Sequence, residues 1–144
     1  EFAAMLVRCL GLDEGDTCPF TDVPENAWFR ESVSKAYSAG IVKGLDENTF
    51  NPGASISREQ LATMTANAMR YKNLKTAADQ ALLAQFADKD QISQWAVDSC
   101  AVAVEKEIVK GYSGFFGPKE TATRAQAAAI LYRLLNTLYS QGGE

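Results

Sequence analysis

The chain has 144 residues, of which 47% are hydrophobic and 22% are charged, a composition that fits a folded domain and excludes a disordered tail. Its formal net charge is −4 and it has no basic block, which argues against a nucleic-acid partner. It contains no histidine, the usual general base at neutral pH, and no apolar run of the roughly 20 residues that a membrane span needs.

The first predicted element is a helix at the N-terminus. Its apolar residues recur at helical spacing, and the segment aligns with two later helices. Each of those helices starts with a Ser or Thr followed by an Arg. Because those introducing residues are absent before Glu1, we expect the chain to begin inside a partial first copy of a repeat. The apolar stripe is Phe2, Met5, Leu6 and Cys9.

A short helix is expected to begin at Asn26, and an equivalent one at Ser93, because both residues are good N-caps. Gly40 is placed to end the first of these helices. Trp28 and Trp95 fall on the apolar side of the two patterns. We therefore expect them in the core, although the edge of an indole also serves as the wall of a sugar site.

A longer helix follows each short one, after a brief extended segment at 41–42 or 108–109 and a glycine-rich turn. Ser57 with Gln60, and Thr123 with Gln126, match the capping box that starts a helix. The apolar stripes are Leu61, Met64, Thr65 and Ala68 in one helix and Ala127, Ile130, Leu131 and Leu134 in the other. Three equivalent stripes predict a mainly all-α fold, a pseudo-three-fold bundle of three long helices with shorter outer helices and short extended loop segments.

The chain is a tandem repeat. The sequence FTD at Phe20 recurs as FAD at Phe86, and IVKG at Ile41 recurs unchanged at Ile108, at offsets of 66 and 67 residues. We expect one unit made of a partial copy at 1–19, a copy at 20–72 with a linker at 73–85, and a copy at 86–144.

Few side chains suggest chemistry. Asp22 and Asp88 could form a catalytic pair, but as repeat equivalents they are expected to shape their loops by hydrogen bonding. Cys9 and Cys100 match apolar positions of other copies, so we expect both to be buried and unbridged, whereas Cys18 lies in a loop. No nucleophile motif or metal cluster is present, and the sequence predicts neither enzyme activity nor a cofactor.

The chain contains FTDVP at Phe20, WF at Trp28, GIVKG at Gly40, TFNP at Thr49 and ISREQLA at Ile56. In order and spacing, these motifs resemble the S-layer homology family. The resemblance implies three tandem copies folded into one pseudo-trimeric unit, located outside the cell at the bacterial cell wall or S-layer. It also implies binding of a secondary cell-wall polysaccharide, often pyruvylated, in grooves between copies.

The binding motif of that family, Thr-Arg-Ala-Glu at the start of the long helix, is matched closely at Thr123 and partly at Ser57. A helix N-terminus offers free N–H groups, and an Arg in the first turn adds a planar fork suited to a carboxylate. Both Arg stems are expected at the surface, where pairing with a nearby carboxylate is the alternative. The glycan-binding candidates are Arg58, Arg124, Ser57, Thr123, Gln60, Gln126, Lys43, Lys110, Trp28 and Trp95.

Lys43 and Lys110 occupy equivalent loop positions, where each is a second cation for the ligand or a solvated charge. The expected function is a non-catalytic anchor, monomeric as a fragment, that binds an anionic and pyruvylated wall polysaccharide. The alternative is a structural or protein-interaction module of a surface protein that has lost the sugar site.

Overall fold

The computed structural model describes residues 2–15, 17–44, 46–74 and 76–142, apart from the side chains of 140–142. These residues form helices joined by loops and contain no β-strand, which confirms the mainly all-α fold class. No helix among them is long and apolar enough to cross a bilayer. The α-helices are α1 (Phe2–Leu10), α2 (Arg30–Ser38), α3 (Arg58–Tyr71), α4 (Val97–Glu105) and α5 (Arg124–Gly142). Three 3-10 segments precede α4, at Gln80–Gln85, Lys89–Gln91 and Gln94–Ala96.

The chain divides into two compact units, Glu1–Ala54 and Ser55–Glu144. In the first unit α1 packs against α2, and in the second α3 packs against α4 and α5. The helices α1 and α3 are therefore each paired with the short helix that follows in the chain, whereas α5 packs against α3. The three-helix centre formed by α1, α3 and α5 spans both units and stays a prediction, as do the boundaries of the copies.

Most residues of the apolar stripes lie on the buried faces of the long helices, as expected, but Met5 and Met64 are only half-buried. All four stripe residues of α5 are buried, and Leu61, Thr65 and Ala68 of α3 are fully enclosed. On α1 the buried face passes through Phe2 and Leu6. A fully buried Leu stabilises the folded state by about 1.5–3 kcal/mol relative to an exposed one, so these faces account for much of the packing energy.

None of the three cysteines forms a disulfide, as predicted for Cys9 and Cys100. Cys100 is completely buried on α4, and burial, reinforced by the nearby Glu59 carboxylate, raises the pKa of its thiol to about 12. The expected burial of Cys9 is wrong, since this residue is half-exposed at the edge of the face that Val7 and Leu10 bury. Cys18 packs against the small core cluster of the first unit.

The short helices begin later than the sequence suggested. α2 begins at Arg30 and α4 at Val97, because hydrogen-bonded turns occupy the residues after Pro24 and a 3-10 segment occupies those after Ser93. Trp28 and Trp95 therefore precede the α-helices, outside their apolar period, and are 67% and 60% exposed. The expectation of a core position for these two residues is wrong.

The repeated aromatic and glycine residues of each copy meet in space, which explains why both motifs recur. A methyl group on Gly111 would lie 2.6 Å from a ring carbon of Phe86 and 2.7 Å from the carbonyl oxygen of Phe115. A methyl group on Gly44 would meet the ring of Phe20 in the same way. Both glycines have φ in the left-handed region, so the close packing and the backbone turn need the same residue type.

Equivalent helix ends in the two copies differ at one position and provide a test of backbone strain. Gly40 follows α2 with φ of +76°, whereas its repeat equivalent after α4, Glu107, has φ of +57°. Since the left-handed region costs a non-glycine residue about 1 kcal/mol, Glu107→Gly is expected to raise the free energy of unfolding by about that amount in chemical denaturation. A methyl group on Gly40 would contact nothing, so Gly40→Ala should lower the free energy of unfolding by a similar amount through backbone strain alone. Loss of stability in Glu107→Gly would contradict this account.

Candidate functional site

Two aspartates fix the loops that precede the long helices. The Asp88 carboxylate accepts hydrogen bonds from the backbone N–H groups of Phe116 and Gly117, each at 2.8 Å. In the first unit the Asp22 carboxylate accepts from Phe50 at 2.9 Å and from Asn51 at 2.6 Å. The Phe50 bond is the main reason why the pKa of Asp22 lies below its ordinary value. The expected structural role of the two carboxylates is confirmed.

The loop that Asp88 holds covers the start of α3. The backbone N–H of Arg58 donates to the Glu120 carbonyl at 2.9 Å, and that of Glu59 donates to the Pro118 carbonyl at 3.0 Å. The third N–H of the turn, on Gln60, donates to the Ser57 hydroxyl at 3.3 Å. These N–H groups are therefore occupied, and the expectation that they offer an open anion site on α3 is wrong.

A buried carboxylate stands beside Arg58 and is itself fully compensated. Glu59 is 2% exposed and accepts from the Ser93 backbone N–H at 2.8 Å and from the Ser93 hydroxyl at 2.7 Å. The Lys119 ammonium group lies 2.7 Å from the same carboxylate and also contacts the Ser93 hydroxyl. By binding Glu59, Ser93 connects the start of the 3-10 segment Gln94–Ala96 to α3. Its side chain does not cap that segment. Lys119 balances the charge of Glu59, and Arg58 forms no ion pair with a carboxylate of the described residues.

The Arg58 guanidinium is held in a fixed position. The residue is 6% exposed, its Nε donates to the Phe116 carbonyl at 2.8 Å, and its Cζ lies 5.7 Å from the Tyr112 ring centroid and 5.9 Å from that of Phe116. The expected surface position of this side chain is wrong, because two aromatic rings and a carbonyl enclose its stem. Its two Nη atoms make no hydrogen bond to a described residue. Every fully enclosed polar side-chain atom of the described residues has a hydrogen-bond partner. Because these Nη atoms have none, they are not fully enclosed and reach the molecular surface.

That surface is a small cleft of about 100 Å³ between the start of α3, the loop before residue 112 and one face of α5. Three of its lining side chains, Arg58, Lys110 and Arg133, are cationic, and none carries a carboxylate. Arg133 is oriented by a hydrogen bond of 3.2 Å from Nη1 to the Ile108 carbonyl. Gln126 adds a polar edge. We call this the cationic cleft; its chemistry favours a small anion such as a carboxylate.

The remaining candidates, apart from Gln126, do not line the cationic cleft. Both predicted capping boxes are confirmed, and in them Ser57 pairs with Gln60 and Thr123 with Gln126. Arg124 is exposed at the start of α5 and is absent from the lining of the cationic cleft, as is Trp95. Lys43 and Trp28 are exposed residues of the first compact unit.

The sequence patterns did not indicate Tyr112 or Arg133. Tyr112 has no aromatic counterpart, since its repeat equivalent is Leu45, and Arg133 corresponds to Asn67, so a search for repeated residues misses both. One helical signal was available. Arg133 lies seven residues after Gln126, which places both on the same face of α5.

The fold and the cleft define a helical repeat module with a cationic site and, in the described residues, no group of His, Cys, Asp and Glu side chains that could hold a metal ion. The sequence model of the S-layer homology domain family matches residues 19–62 and 85–128. The chain belongs to this family. Domains of this family are non-catalytic and anchor surface proteins to the cell wall. The protein is therefore associated with the bacterial cell wall or S-layer.

Similar proteins include enzymes and surface-layer proteins. The chain is 42% identical over 139 residues to an amylopullulanase of Thermoanaerobacterium thermosulfurigenes and 40% identical over 139 residues to exoglucanase XynX of Acetivibrio thermocellus. It is 30% identical over 112 residues to the S-layer protein sap of Bacillus anthracis. The matches cover 94%, 94% and 78% of this chain but only 7%, 12% and 13% of those proteins. The chain thus corresponds to a small part of each relative.

Proposed function

We propose that this module anchors its protein by binding an anionic, pyruvylated secondary cell-wall polysaccharide in the cationic cleft. The observation that supports the proposal is the buried Arg58, whose terminal nitrogens share one cleft with Lys110 and Arg133. A pyruvate ketal places a carboxylate on a sugar ring, and at about 100 Å³ the cleft accommodates such a substituent while the ring stays outside. Because the formal charge of the whole chain is −4, the attraction is local.

Lys110 gives the sharpest test, because it is exposed and makes no ion pair with a described residue. Lys110→Ala is expected to weaken binding of pyruvylated wall polysaccharide about ten- to a hundred-fold, since a hydrogen bond to a charged group is worth about 1.5–3 kcal/mol. Isothermal titration measures the affinity. Thermal unfolding should be unchanged.

Lys89→Ala is the matched control, because Lys89 is exposed in the same compact unit and lines no part of the cleft. It removes the same charge and should leave binding intact. Removing the pyruvate groups from the polymer should abolish the difference between the two variants. Equal affinities of Lys110→Ala and Lys89→Ala for the intact polymer would refute the assignment. Failure of the unaltered protein to bind any wall polymer would instead indicate the protein-interaction module.

Arg124 is proposed as a further contact on the strength of its motif alone. Its position at the exposed start of α5 suits a ligand that extends along the surface. The same titration with Arg124→Ala measures its contribution separately from that of the cleft.

A further inference from the structure

A second and larger depression, of about 450 Å³, is lined in part by Tyr112. Its chemistry differs from that of the cationic cleft. We call it the aromatic groove; besides Asp88 at its base, its lining includes the side chains of Gln91, Tyr112, Phe115, Pro118, Lys119 and Glu120.

The groove exposes ring faces beside hydrogen-bonding groups. Tyr112 and Phe115 are 45% and 44% exposed, although large aromatic side chains are usually well covered in a folded domain. The Tyr112 hydroxyl donates to the Glu120 carboxylate, which orients both groups at the rim. Gln91 adds an amide with donors and an acceptor. Ring faces next to a carboxylate and an amide suit a sugar, whose C–H face stacks while its hydroxyls bond.

The charges in the groove do not favour an anion. The ammonium group of Lys119 is committed to the buried Glu59 carboxylate, while the Asp88 carboxylate at the base is committed to two backbone N–H groups. Glu120 remains as a carboxylate at the rim and repels negative charge. The groove is therefore complementary to an uncharged sugar.

The repeat supplies an internal comparison. Where this copy has Phe115 and Glu120, the preceding copy has Thr49 and Ala54 at the equivalent positions of its loop. The neighbouring ring that packs on the core, Phe116, is retained there as Phe50, and each contacts the first Phe of its own copy. The exposed ring and carboxylate are thus additions to a loop that folds without them.

We infer that the aromatic groove is a subsite for an uncharged sugar residue next to the charged sugar that the cationic cleft holds. The two depressions meet at one contact, because Arg58 lines the cleft, Tyr112 lines the groove, and the Arg58 guanidinium stacks on the Tyr112 ring. The inference rests on the proposed function and adds that the module recognises a segment of polymer that contains both a charged and an uncharged residue.

The test uses Phe115→Thr and Glu120→Ala, which install the residues of the preceding copy, with Lys110→Ala for comparison. Pyruvylated wall polysaccharide is hydrolysed and separated by size into the single pyruvylated sugar and fragments of two or more sugars. Phe115→Thr should weaken binding of the longer fragments about three- to ten-fold, as expected for one lost aromatic contact, without affecting the single sugar. Glu120→Ala should act in the same direction, whereas Lys110→Ala should weaken binding of both ligands.

Two results separate the inference from the proposed function. If neither groove variant changes the affinity for fragments of any length, or if each weakens the single sugar as much as the longer fragments, the groove is not a subsite. If the groove variants discriminate by length while Lys110→Ala binds normally, the groove stands and the cationic cleft is wrong. Unchanged melting temperatures of Phe115→Thr and Glu120→Ala ensure that the comparison reports on binding.

Discussion

Asp88→Asn is expected to lower the free energy of unfolding by about 2–4 kcal/mol. The Asp88 side chain accepts two backbone hydrogen bonds and the residue is only 9% exposed. An amide keeps one oxygen but turns its NH₂ group toward an N–H donor, so one bond to a charged acceptor is lost and a buried donor is left unpaired. For a chain of 144 residues this corresponds to a melting temperature lower by about 10 °C.

Asp90→Asn is the matched control, since it removes the same charge from an exposed residue two positions away. Its melting temperature should stay close to that of the unaltered protein. Asp22→Asn should lie between the two, because Asp22 makes the same pair of bonds from a half-exposed position. Equal melting temperatures of Asp88→Asn and Asp90→Asn would show that the carboxylate does not hold the loop.

Arg58→Ala is expected to impair both stability and binding. The change removes a charge-assisted hydrogen bond to the Phe116 carbonyl and the stacking on two rings, which together cost about 2–3 kcal/mol of unfolding free energy. It also removes the only buried cation of the cleft, so affinity for pyruvylated wall polysaccharide should fall at least ten-fold. Urea unfolding and isothermal titration on the same preparation measure the two effects.

Arg58→Lys separates the contributions of charge and of shape. Lysine keeps the charge, but its single nitrogen cannot both bond the Phe116 carbonyl and present two further nitrogens to the cleft. Both stability and affinity should therefore be only partly restored. Lys110→Ala, in contrast, should affect affinity alone. A melting temperature of Arg58→Ala equal to that of the unaltered protein would place the side chain on the surface and remove the basis for a preformed cleft.

Features governed by near neighbours could be predicted from the sequence. The two capping boxes involve residues three positions apart, and both were found correctly. The stripes of the long helices follow from helical periodicity and were found correctly except at their edges, where Cys9 is half-exposed. The structural role of Asp22 and Asp88 could also be predicted, because a duplicated fold repeats its structural hydrogen bonds.

Features governed by distant residues could not. The burial of Arg58 depends on Phe116, which is 58 residues further along the chain, and on Tyr112, which has no aromatic equivalent in the preceding copy. The exposure of Trp95 follows from the 3-10 segment in which it lies, and no local pattern of apolar residues distinguishes that segment from the first turn of α4. For the same reason, the sequence did not predict that the first-turn N–H groups of α3 are occupied, because the loop that binds them belongs to the following copy.

The closure of α3 by that loop has a consequence for the order of folding. The first-turn N–H groups of Arg58 and Glu59 find their carbonyl partners roughly 60 residues later, at Glu120 and Pro118. Because synthesis starts at the N-terminus, α3 is made before the partners of its first turn. Closing so long a loop costs entropy that local helix contacts do not offset. The first turn of α3 lacks these carbonyl partners until residues 116–120 arrive, and the guanidinium of Arg58 lacks its bond to the Phe116 carbonyl until then. The cationic cleft is thus one of the last features to form, so a partly synthesised or partly exported chain does not yet present it.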